Sequence, residues 1–311
     1  SLMMAPEAER LIETLRTFGL EEVGSDKWMT QHETLTRLNL QAHHNVAAMS
    51  DEFVKESFIS FDKINLLVHE LLLIEIWKDK VFPHISDAAL ENVVGSTSIY
   101  LCLFHESLLI NLVEILLFHR ESLEAMSGDT LLELLDYSHR QIVYMNSGRA
   151  KKDAEVVTQT MKEVLDQNKR QDLDEKIRDV RFGTAVCCLS VLRYMTDYGQ
   201  ELPLGVMARM LDTHDTIVQL VPLLEERPWV RRRVKGAGKD KQRFMEVFNE
   251  GRWIMMPPEE RLKLGKADAQ VWIALHNLIT DPKCRGKYRY DDFRRDTVTR
   301  LQRYFNETLF D

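Results

Sequence analysis

The chain has 311 residues, 44% apolar and 29% charged, with 41 Lys or Arg against 49 Asp or Glu and a formal net charge of −8. That length and balance suit a globular protein with a substantial core in one large or two smaller domains, and argue against wholesale disorder. The acidic balance weighs against a general nucleic-acid or anionic-lipid binder, while four cysteines without a C-x-x-C pair exclude a disulfide framework and suit a reducing, cytosolic compartment.

Apolar residues recur at three- and four-residue steps almost throughout, the period of packed helices. Ser1–Gly19 reads as an amphipathic helix lined by Leu11, Leu15 and Phe18, with Pro6 near its start and Gly19 after its end, and not as a secretory signal. Ser1 and Leu2 are expected to be foreign to the natural chain. The second helix is expected from about Lys27 to Ala48, through Trp28, Leu35, Leu38 and Val46, with Asp26 as its N-cap. Asp51 can cap a short helix holding Phe53, Val54 and Phe58, and Asp62 can start one that carries Ile64, Leu67, Val68, Leu71, Leu72 and Trp77 up to Pro83. A short helix is expected at Ser86–Val93.

Ser98–Glu121 is the longest apolar run, and Ile99 to Phe118 just reaches the roughly 20 residues that cross a bilayer. His105, Glu106, Asn111 and Glu114 lie inside it and are scattered round the helix, which argues against a membrane span and for a helix in the middle of a multi-helix core. Gly128-Asp129 opens the next helix, with Leu131, Leu134, Leu135, Tyr137 and Val143.

Asn146–Asp174 is charged and poor in large apolar residues, Met161 and Leu165 being its anchors, and reads as a solvated helix or linker. The apolar period returns from Leu173 through Ile177, Val180, Val186, Leu189, Leu192 and Tyr194, followed by shorter helices at Pro203–Leu211 and Asp215–Leu224. Arg227–Glu250 breaks the rhythm: Gly236-Ala237-Gly238 among Arg and Lys suggests an exposed, flexible loop. Arg252–Met256 is expected to be a short extended piece, and helices resume at Asp268–Ile279 and Asp291–Leu309. No segment shows the regular alternation of a sheet.

The expected fold is therefore all-α, either an armadillo- or HEAT-like α-solenoid or another multi-helix superhelical domain. No clean repeat of about 40–47 residues is visible. Residues 1–147 form the N-terminal helical part, 148–172 the charged helix or linker, and 173–311 the C-terminal helical part with its basic loop at 227–250, all expected to make one continuous solenoid.

Catalytic and metal chemistry find little support. His32-Glu33, His69-Glu70 and His105-Glu106 each open like H-E-x-x-H but lack the second histidine that would meet the same zinc. Cys187-Cys188 lie inside an apolar helix, so at least one is expected to be buried and inert. No nucleophile elbow or phosphate loop occurs; Gly236-Ala237-Gly238-Lys239 lacks the rest of one. The paired carboxylates Glu225-Glu226 and Glu259-Glu260 read as solvated surface. The expectation is no enzyme, no catalytic residue, no bound metal and no cofactor in this chain.

The basic loop is the most unusual surface feature. Arg227 to Arg243 holds eight Lys or Arg and a single acid, Asp240. Trp229 beside Arg231, Arg232 and Arg233 combines residue types enriched in interaction hot spots. A groove lined by Trp229, Arg231, Arg232, Arg233, Arg252 and Trp253 is the expected partner-binding surface, for an acidic partner segment. The plainer alternative is a solvated loop whose tryptophan packs onto the helices.

The pattern I-Y-x-x-x-x-H-E-x-x-x-I-N-L-x-E-x-x-x-F-H-x-E over Ile99–Glu121 resembles the family of zinc finger MYND domain-containing protein 10, cytoplasmic assembly factors for axonemal dynein arms. Further blocks follow in the same order: QHETLTRLNLQA at Gln31–Ala42, IWKDKVFP at Ile76–Pro83, LELLDYSHR at Leu132–Arg140 and LSVLRYMTD at Leu189–Asp197. Then come ARMLDTH at Ala208–His214, PWVRR at Pro228–Arg232, GRW at Gly251–Trp253 and QVWIALHNL at Gln270–Leu278, so the resemblance runs from about Ala8 to Leu309. It implies a non-catalytic, cytoplasmic adaptor or co-chaperone, including near centrioles or the ciliary base. The implied partners are a leucine-rich-repeat dynein assembly factor, co-chaperones of the Hsp90 and immunophilin type, and dynein chains as clients, with no nucleic acid and no membrane. The family's MYND finger, a zinc-binding cysteine and histidine cluster, has no counterpart here, and the chain is expected to be a truncated form lacking it. Zinc is expected only in that C-terminal finger. The alternative is a general armadillo-like module in signalling or transport, unrelated to cilia.

Overall fold

The computed structural model describes residues 3–91, 93–155, 168–235, 242–261 and 263–304. The expectations for Ser1, Leu2, Met161, Leu165, Gly236-Ala237-Gly238, Lys239, Asp240, Lys241 and Leu309 lie outside those residues. Among the described residues the chain is mostly helical, with fifteen α-helices and one three-stranded sheet. It forms two compact units: Ser1–Tyr137 with Val157–Cys187, and Ser138–Val156 with Cys188–Asp311.

In the first unit the core helix is Val93–Leu117. It packs against the Asp26–Ala47 and Ile64–Lys80 helices. Leu103, Leu109, Leu112, Val113 and Leu117 along it are fully buried, and the Glu106 carboxylate is buried with them. Its length and composition from Thr97 to Leu117 would suit a membrane span, but half of that stretch is buried inside the protein. A core helix flanked on several sides must be apolar on several sides.

Some element ends differ from the sequence expectation. The first helix covers only Ala5–Glu13. Beyond it the backbone is captured by tertiary partners: Gln31 accepts from Arg16 N at 3.0 Å, and Glu70 accepts from Phe18 N at 3.0 Å. Ser25, one residue earlier than expected, caps the second helix by accepting from Trp28 N, and Asp26 becomes its first residue. The stretch from Lys169 to Asp197 is one helix.

In the second unit, Leu204–Ala208 continues into a π-helical turn, Arg209–Thr213, and Thr216–Glu226 keeps Pro222 inside its helix. The Lys266–Thr280 helix follows, and Asp292–Thr299 gives way to a 3₁₀ turn at Arg300–Tyr304. The main correction is at Arg227–Glu250. Instead of an exposed loop, the chain forms antiparallel strands β1 (Val230–Lys235) and β2 (Gln242–Asn249), joined to β3 (Arg252–Met256) in the order β1-β2-β3. Glu250 and Gly251, both with positive φ, make the two-residue turn between β2 and β3. That conformation matches the twist of a tight hairpin.

Candidate interaction surface on the three-stranded sheet

The sheet is rooted in a buried carboxylate. The Thr216–Glu226 helix ends at Arg227, whose left-handed backbone (φ 42°) turns the chain toward β1 while its N–H donates to Leu223 O. Arg227 donates to both oxygens of Asp268 at 2.8 and 2.7 Å, and Trp229 Nε1 donates to Asp268 Oδ1 at 3.1 Å. Gly265 N donates to Asp268 Oδ2 at 3.1 Å. The Asp268 side chain is only 3% exposed, so its charge relies on these donors. Trp229 itself is fully buried. The expectation that Trp229 lines a partner groove is therefore corrected: its ring packs inside and its indole N–H anchors the sheet.

Alternation along the strands then sorts the remaining residues. The register sets Arg231 against Glu246 and Glu246 against Met255, with Arg233 opposite Phe244 and Phe248 opposite Trp253. These seven residues share one face. On it Glu246 accepts from Arg231 at 2.6 Å and lies 4.0 Å from Arg233. Arg231 also donates to Ala154 O at 2.7 Å, and its guanidinium carbon sits 4.1 Å from the centre of the Trp253 ring. Phe248 meets Trp253 edge-on at 5.4 Å. This face answers its own charges.

The opposite face carries Val230, Arg232 and Val234 from β1, Arg243, Met245 and Val247 from β2, and Arg252, Ile254 and Met256 from β3. Arg232, Arg243 and Arg252 are exposed, and no described carboxylate pairs with them. Val234 is 54% and Ile254 37% exposed among them. The expected groove is thus split: Arg231, Arg233 and Trp253 lie on one side of the sheet, and Arg232 and Arg252 on the other. Arg243, absent from the expected set, belongs with the latter. Two-residue alternation set by the Glu250-Gly251 turn is the signal that sorts them.

Of the three His-Glu pairs that invited a metal reading, His32, Glu70, His105 and Glu106 are buried in the first unit, whereas Glu33 and His69 are exposed. His32 Nδ1 and His105 Nδ1 are 2.7 Å apart, so one ring donates to the other, beside Trp28. Burial pushes the basicity of both rings down, His105 well below the ordinary value. Glu106 forms a buried ion pair with Lys78 and accepts from Tyr137 Oη at 2.7 Å. Burial, with Arg181 nearby, lowers Lys78 to about 8, so it remains an ammonium at neutral pH. Glu70 is raised to about 7 by burial, although Phe18 N donates to it.

The described residues also fail to fit a MYND zinc site. All four cysteines are unbridged; Cys102, Cys188 and Cys284 are buried on three different helices, and Cys187 donates its thiol hydrogen to Glu114 at 2.9 Å. No three His, Cys, Asp or Glu side chains gather among the described residues in a way that could hold a metal ion.

What the fold and this surface define is a mostly helical protein with a small sheet, one face of which carries three exposed arginines. The chain is 29% identical over 310 residues to the zinc finger MYND domain-containing protein 10 homolog of Drosophila melanogaster, a match covering 96% of this chain and 63% of that protein. The likeness runs along nearly the whole chain and agrees with the resemblance that the block pattern suggested. The chain spans less than two thirds of the curated relative's length. No protein-family profile matches it, and no solved structure does.

Proposed function

We propose that this chain is the helical part of a non-catalytic adaptor that helps co-chaperones preassemble axonemal dynein arms in the cytoplasm. The observation that carries the reading is likeness along 96% of the chain to the MYND-10 homolog. The partners in this reading are a leucine-rich-repeat assembly factor, Hsp90- and immunophilin-type co-chaperones, and dynein chains as clients. Helix pairs stacked in armadillo or HEAT fashion within each unit suit the task, because stacked helices present rigid surface to several clients. Zinc chemistry belongs to the MYND finger of the longer relatives. The test is depletion of the natural protein in multiciliated cells. Loss of dynein heavy chains from axonemes with intact microtubules is expected, with rescue by the natural protein. Normal arms after depletion would overturn the reading and leave a general interaction module.

A further inference from the structure

We propose that the face of the sheet carrying Arg232, Arg243 and Arg252 docks an acidic peptide segment whose carboxylates alternate with aliphatic side chains. The two faces make the case by contrast. On one, Glu246 neutralises Arg231 and Arg233, and Trp253 covers Arg231. On the other, three exposed guanidiniums meet no described carboxylate. Leaving them unpaired in a chain of net charge −8 places a local positive field on an acidic protein. Such a field is felt within a Debye length, about 8–10 Å.

The spacing selects the ligand. Arg232 lies opposite Met245, and Arg243 is two residues along from it on the same strand, so the two arginines are diagonal neighbours. Such neighbours are ~7–8 Å apart. Carboxylates two residues apart on an extended chain are separated by ~7 Å. Each guanidinium can fork onto one carboxylate. Exposed Val234 and Ile254, with Val247 between the arginines and the Arg252 end, give the intervening aliphatic side chains somewhere to rest. A single-stranded nucleic acid needs aromatic platforms. Phe244, Phe248 and Trp253 all lie on the opposite face, which favours the peptide.

The surface takes its biological setting from the adaptor reading, but its test does not. The probe is a short fluorescein-labelled peptide alternating Glu with Val, measured by anisotropy against the purified chain, with a Gln-for-Glu version as control. Binding of the Glu peptide alone is expected, weakening with salt and falling by at least about tenfold in R232E/R243E/R252E at unchanged melting temperature. R233S, on the other face, keeps the affinity. Should the triple variant unfold, R252E at the hairpin end and the salt titration of the unaltered chain carry the same test. Equal binding of the Gln peptide, indifference to R252E, or tighter binding of oligothymidine or phosphatidylserine vesicles than of the Glu peptide would overturn the proposal. Failure here removes the docking face and leaves dynein-arm loss on depletion as the separate test of the adaptor.

Discussion

Lys78 and Arg232 are both cations among apolar neighbours, and the molecule treats them in opposite ways. Lys78 is buried between helices, paired with Glu106, whose other oxygen accepts from Tyr137. Arg232 stands in water on a sheet face with no described acid beside it. A buried charge must be matched inside the fold, so Lys78 is a structural residue. An exposed guanidinium contributes little to folding and stays available to a partner. Position relative to water, and not residue type, separates the charges that the fold must match from those it leaves exposed.

Breaking the first half of that contrast has the largest expected effect. Lys78→Met or Glu106→Leu alone leaves the other charge buried and unmatched, and each should lower unfolding free energy by about 3–5 kcal/mol. The double variant should recover most of it, because two apolar side chains need no partner. Urea denaturation of the four proteins measures this, and additive losses would show that the pair is not coupled.

Next comes Glu70, whose carboxyl is raised from an ordinary 4.5 to about 7. The folded form holds a proton there that the unfolded chain releases, so the stabilising contribution is complete below 4.5 and lost as the pH rises through 7. At about 1.4 kcal/mol per pH unit the loss is roughly 3 kcal/mol. Glu70→Gln cannot titrate, so it should gain on the unaltered protein by about that amount between pH 4.5 and 8. His32 and His105 act with the opposite sign: burial keeps them neutral in the fold, and stability falls as the pH drops below 6.5. Subtracting the two stability profiles cancels them. A constant difference across the range would sink the Glu70 account.

The smallest effects belong to the exposed arginines. Arg232→Ala and Arg243→Ala should each change stability by no more than about 0.5 kcal/mol. A loss of several kcal/mol in thermal unfolding would mean that they support the fold and are not held in reserve.

Helix existence was readable from apolar spacing at Ile64, Leu67 and Leu71, because a buried stripe dictates that period, and for the core helix from the length of its apolar run. Ends were less readable. The first helix stops at Glu13 because Gln31 and Glu70, distant in sequence, take the following N–H groups. The sheet was hidden for another reason. Arg231, Arg232 and Arg233 put the same charge on both faces of β1, so no polar–apolar alternation marks it. Trp229 looked like a surface anchor because its hydrogen-bond partner Asp268 lies thirty-nine residues on.

Local side-chain pattern thus set the helical class, the core helix and the block order that pointed to a family, since period and composition are properties of neighbouring residues. Tertiary packing alone decided which charges are matched. Burial of Lys78 and Glu106, the Asp268 anchor and the division of the arginines between two faces all depend on groups far apart along the chain. Desolvation and strand register act on where a residue ends up, which no short stretch of sequence records.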